Sequence, residues 1–195
     1  MLLALGAVTF FGFSMTVLYP AVVKEVLGRE EGAYGLLLSF TGLGAVMGAL
    51  LVTRLSSRMA EKDIVKGSAM GLGVFLLCFS FSSTYWLLCL LTLGIGGCYL
   101  MIGASVNTVV QARAGHDMRG RMVSFYSMMW LGMFAVGGQF AGYLGDTTSV
   151  QKAILVGGVA CVAVAVLLIL VPSLTTGADS SLGIAGAEAV VDAEA

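Results

Sequence analysis

The chain has 195 residues, 58% of them hydrophobic and 11% charged, with a mean hydropathy of +0.99 and a formal net charge of −1. Soluble domains carry about a quarter of their residues as charge, so water is excluded as the main solvent and lipid takes its place. No basic run is present, which excludes a nucleic-acid binder.

The charges fall in short clusters separated by long uncharged runs. A helix crossing a hydrocarbon core of about 30 Å needs roughly 20 apolar residues. The run Met1–Val23 predicts a first helix over about 2–22, with Pro20 near its exit. It has no basic n-region and no A-x-A-like cleavage site, so it reads as a retained span rather than a signal peptide. A polar link, Lys24 to Glu31, leads to a second helix over about 34–55. The link Ser56 to Lys66, charged on both sides of Ala60, precedes a third helix over 67–81. The uncharged run Gly67 to Ala112 is long enough for two crossings. Ser82-Ser83-Thr84 divides it, and Tyr85 and Trp86 suit the aromatic belt at a membrane interface, which starts a fourth helix over 85–112. After the link Arg113 to Arg121 come a fifth helix over 122–145, the short turn Asp146 to Gln151, and a sixth helix over 152–171 ended by Pro172. The fold class expected is an all-α membrane protein, a six-transmembrane-helix bundle over residues 1–172. Residues 173–195 are rich in Ala, Gly and Ser, and carry Asp179, Glu188, Asp192 and Glu194. Such a segment buries too little apolar surface to offset the entropy of ordering, and it is expected to be a disordered cytoplasmic tail.

Basic residues set the orientation. Arg54, Arg58, Lys62, Lys66, Arg113, Arg119 and Arg121 lie in the links after helices two and four, against Lys24, Arg29 and Lys152 on the opposite side. The positive-inside rule places the seven in the cytoplasm, and with six crossings both termini are cytoplasmic. Cys78, Cys89, Cys98 and Cys161 sit in apolar runs without C-x-x-C spacing, and read as small apolar residues rather than disulfides or metal ligands. Gly44 and Gly48, Gly67 and Gly71, and Gly138 and Gly142 have G-x-x-x-G spacing, which lets helix backbones approach closely in lipid. Such glycine faces would also let neighbouring helices slide.

The most specific stretch is Asn107-Thr108-Val109-Val110-Gln111 followed by Asp117-Met118-Arg119-Gly120-Arg121-Met122-Val123-Ser124-Phe125-Tyr126. It resembles the Asn-Thr…Gln…Arg-Gly-Arg-Val-x-Ser-Leu-Tyr signature of the major facilitator superfamily, closest to the drug- and siderophore-exporting branch that contains enterobactin exporters. Pro20, Glu25-Val26-Leu27-Gly28, Tyr34-Gly35-Leu36-Leu37 and Gly42-x-Gly44 resemble the seventh and eighth helices of that branch. The likeness spans about Met1 to Val171 and implies the carboxy-terminal half of a twelve-helix transporter, itself two inverted three-helix repeats. Gly44 to Gly48 and Gly138 to Gly142 would then be corresponding positions. Six helices that open at the family's seventh point to a fragment, a truncated gene or one product of a split gene. The loop signature G-x-x-x-D-[RK]-x-G-[RK]-[RK] survives only in part. Arg58 and Lys62 keep their type, while Ser57 and Ala60 replace the Asp and Gly.

The resemblance implies export of amphipathic small molecules such as drugs or siderophores, by alternating access, from the cell's inner or plasma membrane. It makes the partners the lipid bilayer, the missing amino-terminal six-helix half or a second copy, and a small-molecule substrate. No cofactor and no metal is expected. No ionisable side chain stands at mid-membrane, where a charge costs about 2.5–3.5 kcal/mol on insertion scales, so a proton-coupling carboxylate would stand out. Asp146, near the outer end of helix five, is the nearest candidate. Tyr99, Gly103, Asn107 and Gln111 recur every four residues and share one face of helix four. By family analogy that face lines the cavity; the other reading pairs Asn107 and Gln111 with neighbouring helices. Phe11, Ser14 and Leu18 form a weaker face on helix one, and Gln139 is the deep polar residue of helix five. Met128, Met129, Trp130 and Met133 would form an adaptable apolar wall, or simply pack. Asp117 is positioned to cap helix five, with Arg119 and Arg121 in its first turn, where cations oppose the helix dipole. By resemblance Arg58, Lys62, Asp117, Arg119 and Arg121 close an inner gate against the first half; anionic headgroups are the other partner weighed for the arginines. His116 reads as a solvated loop residue. No H-E-x-x-H, P-loop or embedded serine-protease pattern is present, and an enzyme is not expected. The alternative to a transporter half is a non-transporting membrane remnant or scaffold, or a homodimeric half-transporter.

Overall fold

A computed structural model describes residues 2–26, 28, 32–113 and 119–171. The expectations placed on His116, Asp117 and the tail 173–195 lie outside the described residues, and of Arg119 only the backbone is described. Among the described residues every regular element is helical.

The first rod departs from the single helix expected over 2–22. Only α1 (Leu2–Phe11) is α-helical at length; Phe13–Leu18 tighten into 3-10 turns, Tyr19–Ala21 make one α-turn, and Val22–Val26 loosen into a π-turn. Pro20 brings about part of this, because it has no N–H and its ring crowds the carbonyl four residues back, that of Thr16. The Thr16 hydroxyl in turn donates to the Phe13 carbonyl at 2.7 Å. Gly12 marks the other edge of the break. A Cβ there would lie 2.6 Å from Cys161 Sγ and 2.9 Å from a Leu72 methyl, so only glycine lets the rod pass between its neighbours.

The remaining rods are α2 (Gly32–Leu55), α3 (Glu61–Phe81), α4 (Tyr85–Arg113), α5 (Arg119–Thr147) and α6 (Val150–Leu170). α3 starts at Glu61 rather than near 67, because charge ends the apolar run without ending the helix. Glu61 and Asp63 occupy its first turn, where the free N–H groups favour acidic side chains. α5 likewise opens at Arg119 rather than 122 and continues to Thr147. At α6 the Ser149 hydroxyl caps the helix, accepting from the Lys152 N–H at 3.4 Å.

Five segments are long and apolar enough to cross a membrane: Leu5–Glu25, α2, α3, α4 and α6. The sequence reading counted six. α5, at 29 residues, has the length but is not among them; Arg121, Ser124, Ser127, Gln139 and Asp146 lower its apolar character.

Lipid supplies no hydrophobic drive between helices, so association rests on close packing. α2 packs along α4, α3 along both α4 and α6, and the first rod along α5 and α6. Exchanging rods one, two and three with four, five and six carries α2–α4 onto α5–rod one, and α3–α4 onto α6–rod one. Leu5, Val8, Met15, Tyr19, Leu72, Leu76, Leu88, Ile95, Ile102 and Ile154 fill the centre, all fully buried.

Candidate functional site

The 3-10 segment turns Phe13 onto α4, where its ring stacks on Tyr99 with centroids 3.7 Å apart and planes within 1°. Trp130 of α5 meets Tyr99 edge-on at 4.9 Å and Tyr126 at 5.5 Å, and Phe134 lies 5.7 Å from Phe13. The Tyr126 hydroxyl donates to the Gly103 carbonyl at 2.9 Å. A side chain at Gly103 would overlap the Trp130 ring, so this glycine makes room for the indole. The first rod, α4 and α5 thus converge on one aromatic cluster.

Its polar atoms are incompletely satisfied. Tyr99 is 5% exposed, and its buried hydroxyl has the Thr9 hydroxyl and the Trp130 indole beside it; the Ser105 hydroxyl, further along α4, is buried without a hydrogen bond. An unmet buried polar group costs about 1–3 kcal/mol, so the Thr9–Tyr99 pairing matters to the stability of the cluster.

The residues singled out from sequence divide into groups. Tyr99 and Gly103 join the cluster, while Asn107 and Gln111 lie half-buried one and two turns further along α4. Ser14 is fully buried, with its hydroxyl 2.9 Å from the Thr9 carbonyl and 3.2 Å from the Phe134 carbonyl; it ties the broken rod to α5. Phe11 is half-buried, its ring 4.8 Å from Phe10 and 6.4 Å from Phe140. Leu18 is buried, its methyl 3.0 Å from where Gly145 would carry a Cβ. Gln139 stands apart, exposed, about 200° around α5 from buried Gly137. The methionine wall is not one face. Met129 and Met133 cover Gly6 of α1, Trp130 covers Gly103, and Met128 points outward at 76% exposure.

Glycine geometry separates the three pairs offered for packing; of Gly67 and Gly71 only the second has a neighbour, Cys98 Sγ at 3.0 Å from its Cβ position. A Cβ on Gly44 would lie 2.7 Å from the Leu93 carbonyl carbon, and one on Gly48 would lie 2.9 Å from Gly97 Cα. In α5 the close approach is at Gly137, whose Cβ would lie 2.6 Å from the Phe10 carbonyl oxygen. Gly138 meets only Val17, at 3.3 Å, and Gly142 has nothing within 4 Å. One residue turns a helix by about 100°, so the contact face is rotated off the G-x-x-x-G pair.

Arg58 is exposed beyond the end of α2, Lys62 is half-buried in the first turn of α3, and Arg121 is exposed in the first turn of α5. Among the described residues no group of three or more His, Cys, Asp or Glu is placed to hold a metal ion. Sequence reading passed over Phe13, Thr9, Tyr126 and Phe134. Tyr126, Trp130 and Phe134 recur every four residues, and that aromatic stripe was the available signal.

A family model described as transmembrane secretion effector matches residues 2–187, which takes in all six rods and continues past Val171. No curated protein matches the chain.

Proposed function

Because the chain belongs to the transmembrane secretion effector family of the major facilitator superfamily, a family of multi-pass membrane transporters, we propose that it is the second six-helix half of an exporter of amphipathic small molecules, completed by a first six-helix half. In this reading the two halves rock about a shared cavity, with the drug- or siderophore-like substrate meeting the face built by the first rod, α4 and α5. Half-buried Asn107 and Gln111 line that face on α4, with Tyr99 and Gly103 packed behind Phe13 and Trp130. The links that carry Arg58, Lys62, Asp117, Arg119 and Arg121 face the cytosol with both termini, and Arg119 and Arg121 close the inner gate against the first half.

The observation that carries this reading is the outer face of α5. It is the one long rod among the described residues that falls short of the apolar character of a membrane span, and Ser124, Ser127, Gln139 and Tyr143 are exposed along it beside Phe125, Met128, Leu131 and Val136. An unpaired amide in hydrocarbon costs several kcal/mol, so a protein surface is the cover expected. α2 offers a comparable face: Gly35 and Gly42 there, like Gly132 and Gly142 of α5, have nothing within 4 Å of a Cβ. α2 and α5 are also exchange mates in the helix-pairing pattern, as two inverted three-helix repeats would have them. A second copy of the chain could cover the same faces, and a scaffold would use them without transport.

Proteoliposomes separate these readings. The chain reconstituted with a six-helix first half of the same family is expected to extrude a hydrophobic dye, and the chain alone is not. Efflux by the chain alone as a dimer would favour the homodimeric half. Stable assembly without efflux of any dye or siderophore tried would favour the scaffold.

A further inference from the structure

A second feature lies away from the aromatic cluster, on the seam of α2, α3 and α4. It is an open groove of about 220 Å³, lined by Gly44, Met47, Gly48 and Leu51 of α2, Phe75 of α3, and Leu93, Gly94, Gly97, Cys98 and Met101 of α4. The glycines make it: with no side chains at Gly44, Gly48, Gly94 and Gly97, the backbones close together and leave a slot flanked by Met47 and by Phe75, whose ring fills the space over Gly94. The slot is smaller than the roughly 300 Å³ at which drug-sized pockets begin, and its lining offers no hydroxyl, amide or charge to orient a polar solute. Met47 and Leu51 are about half exposed and lie about 140–180° around α2 from Gly42, so the slot opens away from the small-residue face assigned to the first half.

One end of the groove is chemically different from the other. Val52, Ile64 and Met101 form a small buried cluster that closes this end beneath the α2–α3 link. Arg54 is exposed in the last turn of α2, about 4.5 Å further along the axis than Leu51, and Arg58 follows in the link. Between Arg54 and Lys66 the chain carries four bases against two acids, Glu61 and Asp63. An apolar slot within the span that ends under a net-positive rim matches one molecule, with a hydrocarbon tail and an anionic head.

We propose that this groove is a binding site for an anionic phospholipid, with one acyl chain lying along the outside of the closed Gly48–Gly97 seam, beside Met47 and Leu51, and the phosphate held by Arg54 and Arg58. The site shares with the transporter reading only the membrane-spanning arrangement, and needs neither a first half nor a substrate. A basic side chain near anionic lipid contributes about 1 kcal/mol, or about a fivefold preference per base. The guanidiniums reach the headgroup while their stems lie along the apolar rim.

Native mass spectrometry of the full-length chain, purified in detergent with equal phosphatidylglycerol and phosphatidylcholine, tests this directly. Phosphatidylglycerol is expected to stay bound in at least about fivefold excess. Arg54→Gln with Arg58→Gln should bring that ratio toward one. Leu51→Trp, which fills the slot from a lipid-facing position, should lower retention of both lipids. Equal retention by the unaltered chain would overturn the site, and so would a ratio indifferent to the arginines. Loss of preference with Leu51→Trp silent would mean headgroup adsorption without a seated chain, and would also overturn it. Dye efflux is not read in this experiment, so its failure leaves the transporter reading untouched.

Discussion

Gly48 of α2 lies so close to Gly97 of α4 that a Cβ on the first would sit 2.9 Å from the Cα of the second. Two facing glycines allow this because neither backbone carries a side chain at the contact, and in lipid such close packing is what holds helices together. Gly48→Leu should therefore force α2 away from α4. Overpacking of this kind costs about 1–3 kcal/mol, occasionally more, and should appear as a lower melting temperature and a reduced monodisperse fraction in detergent. Gly42→Leu is the control: nothing lies within 4 Å of that position, so the isolated chain should melt as before. In the assembled transporter the same leucine should lower efflux by obstructing the face that meets the first half.

The stacked pair Phe13 and Tyr99 separates packing from polarity. Tyr99→Phe keeps the ring and removes a buried hydroxyl held only by the weakly placed Thr9 hydroxyl and Trp130 indole, so stability should change by no more than about 1 kcal/mol. If that hydroxyl meets substrate, efflux falls although stability does not. Phe13→Ala removes the ring that anchors the 3-10 segment to α4. It should cost about 3–5 kcal/mol in a soluble core, and less where lipid refills the space. Parallel melting and efflux curves on both variants check this.

The rods were legible because lipid leaves no ambiguity about charge: each cluster from Lys24 to Arg121 marks a link, and the spacing between clusters fixes how many helices fit. The ends were less legible. Charge stops the span but not the helix, as Glu61 and Asp63 in the first turn of α3 show. The broken first rod was the larger miss. Gly12 and Pro20 bracket the 3-10 turns and the π-turn follows Pro20, but each residue alone is tolerated in membrane helices, where neighbours re-satisfy the backbone. The break became visible only with the α3 and α6 side chains against Gly12 in place. At the site, the four-residue spacing found Tyr99 and Gly103. It could not find Phe13, because 3-10 turns do not keep the α-helical register that pairs residues four apart.

Orientation makes a labelling prediction. Ser56→Cys, in the α2–α3 link, should react with a membrane-impermeant maleimide only after cells are opened, while Thr148→Cys, between α5 and α6, should react in intact cells. Both positions are near or beyond helix ends and exposed, so accessibility rather than burial decides the outcome. Cys89 and Cys161 are buried and should stay silent. The opposite pattern would invert the assignment of the basic links.

Arg121 tests the gate. It is exposed in the first turn of α5, where a cation gains nothing from the helix dipole. Arg121→Glu should therefore leave insertion and melting of the isolated chain within about 0.5 kcal/mol of the original, as surface changes usually do. In the assembled transporter it should sharply reduce efflux. Unchanged efflux would assign the arginine to headgroups instead.

Gln139 carries the argument for a missing cover to a single side chain. It is exposed on α5, the rod that falls short of the apolar character of a membrane span. If hydrocarbon surrounds it in the isolated chain, Gln139→Leu should improve insertion and melting, by about 1–3 kcal/mol for an unpaired amide. If a first half packs there, the same substitution removes an interhelical hydrogen bond worth about 0.6–2 kcal/mol, and co-purification of the two halves should weaken. The two effects have opposite signs in the two states, so one variant measured alone and with its partner separates a helix built for lipid from one built for a neighbouring protein. A Gln139→Leu chain that is no more stable alone and binds its partner undiminished would remove this residue from the interface.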